Sequence, residues 1–206
     1  FDKFEVLAVA AFIRSIKGSP GALVIDVGAN LGYYANVAAL LGAPVLAVDM
    51  QPLCAVVTKC HLALNQFERT DVIVQNAFVS RSKDAPAIHV PNDACNSMAS
   101  PTAVGGRWPR PNGRLREMSK GPRLRVPPMQ LAGYVRDHFS GSGAGRRIAM
   151  LKIDTEGFEP HVLESIRPLW PQLGDVLTEV QPHAWKFHNL TADAALATFR
   201  ELITLK

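Results

Sequence analysis

The sequence predicts an α/β fold with a mostly parallel, doubly wound sheet, and three observations carry that expectation. Short apolar runs rich in β-branched residues alternate with helix-length segments along the chain, the pattern of successive βαβ units. The first such run, Leu23-Val24-Ile25-Asp26-Val27, is continuously apolar apart from its acid, as a strand buried on both faces should be. Acids and glycine turns stand at the ends of these runs. Open α/β sheets bind their ligands there, outside the carboxyl ends of the strands and near the point where strand order reverses.

The elements follow in order. Asp2 and Glu5 give a helix start signal for the apolar stretch Val6 to Ile16, which Gly18, Pro20 and Gly21 end. After the strand Leu23 to Val27 and its glycine turn comes a helix from Gly32 to Leu41, closed by Gly42. Val45 to Val48 is the second strand. A helix from Pro52 to Asn65 follows, with proline well placed in its first turn. Val72 to Val74 is the third strand. Ala77 to Val126 is expected to be irregular. A short helix covers Met129 to His138, and Gly141 to Gly145 is a flexible connector. The fourth strand is Ile148 to Ile153, with a helix after Pro160. The fifth is Val176 to Val180, and Ala192 to Leu202 forms the final helix.

Composition narrows the class. A chain of 206 residues suits a single domain, 48% of it apolar and 19% charged, which fits a globular protein. No apolar run is long enough for a membrane span. The formal charge of +4 is concentrated. From Gly105 to Pro127 lie Arg107, Arg110, Arg114, Arg116, Lys120, Arg123 and Arg125 against Glu117 alone. That segment carries +6 and leaves −2 for the rest, so the basic balance belongs to one inserted loop, about 105–127. The loop is expected to be a mobile surface feature that attracts an anionic acceptor or an acidic partner. Cys54, Cys60 and Cys95 form no CxxC pair, and their odd number gives no disulfide framework. They read as small hydrophobes, with a lean towards a reducing compartment.

The first turn carries the sharpest signal. It reads Asp26-Val27-Gly28-Ala29-Asn30-Leu31-Gly32. Gly28 allows the chain to turn off the strand, and Gly32 allows the helix to pack closely. A dinucleotide fingerprint would place glycines where Asn30 and Tyr33 stand, so a pyrophosphate is disfavoured. A ligand with an amino-acid end tolerates Asn30, with Asp26 attracting its ammonium and helix N–H groups its carboxylate. Asp49 ends the second strand about 20 residues on, where an acid takes both ribose hydroxyls. Met50 and Asn76, at the second and third strand ends, complete the expected cofactor set of Asp26, Gly28, Asn30, Gly32, Tyr33, Asp49, Met50 and Asn76.

Val24 to Tyr34 and Leu151 to Glu159, read together, resemble the two signature blocks of the FkbM-type methyltransferases, "DVGANxGxY" and "KxDxEGxE". Asn96 to Ser100 and Leu177 to Val180 are fainter echoes. The resemblance runs from about Leu23 to Val180. It implies a Rossmann-like class I methyltransferase fold, S-adenosylmethionine as donor, and O-methylation of a sugar, glycan or other small hydroxylated molecule. Two departures stand out. Asp49-Met50 replaces the more frequent Glu-Pro, and nothing in the family pattern explains the basic insertion. Lys206 falls about where the last two strands of such a fold should begin.

For catalysis, a hydroxyl nucleophile needs a base or a cation that lowers its pKa. His183, after the fifth strand, is the first choice as base, with Glu179 holding its ring. Asp154 and Glu156 are the rival, as carboxylate base or as ligands of a divalent cation. Glu159 reads as a cap of the following helix. His61, His89, His138 and His188 read as structural or exposed. No dedicated metal-binding set is read from the sequence. Two other functions compete: a non-catalytic domain of the same fold that binds an acidic partner through the basic loop, and nucleic-acid methylation. The second is disfavoured because Asp154-Thr-Glu-Gly stands where an NPPY-like motif would be.

Overall fold

The computed structural model describes residues 3–67, 71–91, 95, 107–109, 115–117, 123–139, 146–188 and 190–204. The elements are α1 (Lys3–Lys17), β1 (Leu23–Val27), α2 (Tyr33–Leu40), β2 (Val45–Asp49), α3 (Pro52–Leu64), β3 (Val72–Asn76), β4 (Phe78–Val79), β5 (Ile88–Pro91), β6 (Arg107–Pro109), β7 (Leu115–Glu117), β8 (Arg123–Val126), β9 (Pro128–Met129), α4 (Leu131–Phe139), β10 (Ile148–Ile153), α5 (Glu159–Ile166), β11 (Leu173–Thr178), α6 (Pro182–Trp185) and α7 (Ala192–Thr204). The main sheet has the order β11-β10-β1-β2-β3, and every pairing in it is parallel. Strand order reverses at β1, so the functional end of the sheet is the carboxyl edge where β1, β2 and β10 meet.

The period-2 geometry of the strands divides the core. Leu23, Ile25, Val27, Leu46, Val48 and Ile153 face one layer, packed against α4, α5 and α7. Val24, Val45, Ala47 and Met150 face the other, against Phe12 and Ile16 of α1 and the alanines of α2. Helices cover both faces, which is why β1, β2 and β10 are buried at every position. No helix among the described residues is long and apolar enough to cross a membrane.

Three expectations need correction. The stretch from Ala77 to Val126 is not simply irregular. Phe78–Val79 pairs with β9, Ile88–Pro91 lies antiparallel to Arg123–Val126, and Arg107–Pro109 pairs antiparallel with Leu115–Glu117. These strands are two to four residues long, too short to show a periodicity of their own. The basic segment is therefore partly built into strand pairs, and its remainder lies outside the described residues, as do Asn96 to Ser100 and Gly141 to Gly145. The fifth strand spans Leu173–Thr178 rather than Val176 to Val180. Gly174 and Asp175 masked its start. Finally, Cys54 and Cys95 form a disulfide across 41 residues of sequence, and Cys60 is free and exposed. An odd cysteine count hid a pair that only the tertiary fold brings together.

Candidate active site

The turn after β1 is shaped by a close approach of two strands. Gly28 has φ +76°, and a Cβ there would lie 1.8 Å from the backbone oxygen of Asp154, so no side chain fits. The Gly28 and Ala29 N–H groups both donate to the Val48 carbonyl, at 2.9 and 3.2 Å. Asn30 follows at φ +50°, and its carbonyl accepts a bond from the Thr58 hydroxyl on α3, at 3.0 Å. Gly32 caps α2, and a Cβ there would lie 2.7 Å from the methyl of the same threonine.

Asp49 joins this turn to the end of β2. Its Oδ2 accepts the Asn30 N–H and its Oδ1 the Gln51 N–H, both at 2.8 Å. Each oxygen keeps a further lone pair, the arrangement that suits a vicinal diol. Burial pushes the Asp49 carboxyl up to about 6, against the two N–H bonds that favour its ionised form. Asn76 supports the loop from below, its amide donating to the Asp49 and Met50 carbonyls at 3.0 Å.

The two loops open on a cleft that is continuous with solvent. Gly28, Asn30, Asp49 and Met50, at the β1 and β2 strand ends, line it together with Asp154 and Glu156, at the β10 strand end, with Phe78, Val79 and Phe158 as apolar wall. Of the residues expected to hold a cofactor, these first four come together at the cleft. Tyr33 instead is half-exposed and borders a separate groove with Leu31, Val37 and Leu40.

Asp26 is placed differently from the expectation that it attracts a ligand ammonium. It is fully buried, directly opposite Lys152 in the register, and the cation it meets is Lys152 Nζ, 3.1 Å from Oδ1. Lys152 also donates to the Gly28 carbonyl at 2.8 Å and lies 3.8 Å from Asp154 Oδ2. Burial alone would lower the lysine's pKa. The charges of Asp26 and Asp154 outweigh it and raise the value instead. Lys152 was not singled out from the sequence, although a lysine inside the apolar strand Ile148–Ile153 is a legible sign of a buried ion pair.

The β10 end is a strained turn. Glu156 sits at φ +55°, an uncommon conformation for a residue with a side chain. Glu159 holds the turn: its Oε1 accepts the Gly157 N–H at 2.8 Å and the Thr155 N–H and hydroxyl at 3.3 and 3.2 Å. Glu159 thus ties down the turn before α5 rather than capping the helix. His188, buried, donates from Nε2 to the Glu156 carbonyl at 3.2 Å, and its ring meets Phe158 edge-on. His161 lies tilted against the same phenylalanine. Burial, and then the charge of Arg81, lowers its pKa to about 4, so it is neutral here.

Burial lifts the Glu156 carboxyl to about 7, opposed by a bond from Gln181 and reinforced by Asp154, Glu179 and Glu159. The Glu179 carboxyl is raised by burial and by a hydrogen bond shared with Asp154, while Gln181 lowers it. Glu179 therefore partners Asp154 and Gln181, not the ring of His183. His183 lies exposed on α6 and does not line the cleft. Among the described residues, no group of three or more His, Cys, Asp or Glu side chains is arranged to hold a metal ion.

The cleft fits S-adenosylmethionine on its own chemistry: a diol acceptor in Asp49, exposed main chain in a glycine turn, and apolar walls between. Among solved structures, the chain is similar to a SAM-dependent methyltransferase from Aquifex aeolicus, at 19% identity and a TM-score of 0.30. That match spans 39% of this chain and 44% of the other, less than half the length of either. No curated protein matches the chain. A family model does match, the methyltransferase FkbM domain, over residues 26–202, which takes in every element from the β1 turn to α7. This chain belongs to the FkbM methyltransferase family.

Proposed function

We infer that this protein moves the methyl group of S-adenosylmethionine to a hydroxyl oxygen of a sugar, a glycan or another small hydroxylated molecule. The observation that carries this reading is that the Asp49 carboxylate, with a free lone pair on each oxygen, lines the same cleft as a second carboxylate group at Asp154 and Glu156. When bound, the donor supplies an already activated methyl, so the protein's tasks are to position and to take up a proton. Asp49 and the Asn30 turn hold the donor. Glu156 receives the proton of the acceptor hydroxyl, since it lines the cleft and its carboxyl titrates near neutral pH. Asp154 and Glu179, which share a hydrogen bond, flank it.

Calorimetry with S-adenosylhomocysteine, followed by incubation with labelled S-adenosylmethionine and a panel of glycans and small alcohols, tests this reading. We expect measurable heat, a rise in melting temperature through ligand linkage, and label on at least one hydroxylated acceptor. Absence of heat and of any thermal shift, or tight binding of NAD in its place, would end it. Label confined to nitrogen acceptors would end the O-methyl assignment alone.

A further inference from the structure

The cofactor loops carry a feature that the methyl-transfer chemistry does not use. Cys54, in the first turn of α3, is fully buried and bonded to Cys95, beyond the end of β5. Cys95 is only partly buried, and its Sγ lies 3.4 Å from Asn30 Oδ1. Asn30 lines the cleft, holds a left-handed conformation and donates its N–H to Asp49. Three residues before Cys54, Gln51 donates to the other Asp49 oxygen. The disulfide therefore bridges the helix that starts from the Asp49 loop to a distant segment, and presses a sulfur on the residue that fixes Asp49 from the opposite side. A cross-link with no bearing on the site could lie anywhere on the 206-residue chain; this one contacts the donor turn.

We propose that the Cys54–Cys95 bond is a thiol–disulfide exchange site that straps the donor cleft, closed when oxidised and loosened when a dithiol reductant opens it. The inference rests on the reading of this cleft as the S-adenosylmethionine site. Exposure sets the direction of attack. A thiolate of the reductant bonds to the Sγ of Cys95, the less buried of the two residues, and the S–S bond breaks with its electron pair on Cys54, which takes up a proton. The second thiol of the reductant then attacks the mixed disulfide. It releases Cys95 as a thiol and leaves the reductant as a disulfide, so two electrons and two protons pass to the protein. With Cys95 free, the covalent bond no longer holds its sulfur against Asn30. The left-handed turn then loses a contact on the side away from Thr58, and the two N–H bonds that orient Asp49 loosen with it.

The test uses the chain in a Cys60→Ser background, which removes the exposed free thiol. Thiols are counted by alkylation and mass spectrometry after equilibration in oxidised glutathione and, separately, after dithiothreitol. S-adenosylhomocysteine affinity is measured in both states by calorimetry, with a thermal melt to show that each is folded. We expect no alkylated cysteine in the oxidised protein and two in the reduced one. Reduction should weaken affinity by about fivefold or more, the low end of typical coupling between sites, and reoxidation should restore it. Cys95→Ser should behave like the reduced protein in both buffers. Equal affinity in the two states, or two reactive thiols after oxidation, overturns the proposal while leaving the site assignment standing. Binding in neither state overturns both.

Discussion

The two sides of the cleft are built from different materials. On the β1–β2 side, where we place the donor, the main chain does the positioning: a glycine that touches the neighbouring strand, two N–H groups from separate loops on one carboxylate, and a threonine that fixes Asn30. On the β10 side, where we place the acceptor, side chains do it. Glu179 bonds to Asp154 and Gln181, and Glu156 bonds to the same glutamine from a turn that Glu159 and His188 hold in place. A main-chain site has one geometry, with Asp49 as its titrating group. A side-chain site of like charges has ionisation states that its neighbours adjust.

Lys152 is where the two ends meet, and breaking it should give the largest effect. Its ammonium serves Asp26, the Gly28 carbonyl and Asp154 at once. Lys152→Met strands a fully buried carboxylate, which costs about 3–5 kcal/mol when one partner of a buried pair is removed. Asp26→Asn with Lys152→Met removes both charges and should recover most of that loss in denaturant unfolding. If the double variant is as unstable as the single one, the pair is not what joins the ends.

At the acceptor end, Glu156→Gln should lower turnover about 10²–10⁴-fold, the usual contribution of a general base. Its affinity for S-adenosylhomocysteine should stay near that of the parent protein. The rate should rise with pH through about 7 as the carboxyl ionises. His183→Ala should change neither quantity, because the ring is exposed and away from the cleft. A loss on His183→Ala with full activity in Glu156→Gln would return the base to the histidine. Loss of activity in EDTA would point instead to a cation on Asp154 and Glu156.

The same contrast governs what was legible in the sequence. The alternation of strands and helices, the Asp26–Gly32 turn and Asp49 follow from local rules: an apolar run, a glycine where no Cβ fits, an acid at a strand end. The acceptor end follows from packing. In one dimension His183 is the first choice as base and Glu156 its rival, and only the path of α6 puts the histidine outside the cleft. Asp26 looked like a ligand contact because its partner stands 126 residues away on the neighbouring strand. The short strand pairs between Ala77 and Val126 rest on long-range register, and the Cys54–Cys95 bridge on the same folding-back of the chain.

Asp49→Ala should weaken donor binding by about 1.5–3 kcal/mol, the worth of charge-assisted bonds to two hydroxyls, without changing the acceptor end. The smallest effect expected is its pH dependence. The Asp49 carboxyl is raised from 3.8 to about 6, so the folded chain holds this proton more tightly than the unfolded one. Its contribution to stability is present below about 3.8 and is lost as pH rises through about 6, a difference of about 3 kcal/mol for roughly two pKa units. Donor binding has the opposite sign, because the ionised carboxylate is the form that accepts two hydroxyls. Affinity should therefore be full above about pH 6 and fall below it, by at most about tenfold per pH unit. The thermal shift given by S-adenosylhomocysteine should shrink from pH 7.5 to 5, with its midpoint near 6. A midpoint near 7 would assign the proton to Glu156, and would move the titrating group from the main-chain end to the side-chain end. In Asp49→Ala the slope should vanish along with most of the affinity. If the shift is as large at pH 5 as at 7.5, or keeps its slope without Asp49, this carboxylate is not the one that meets the donor's hydroxyls.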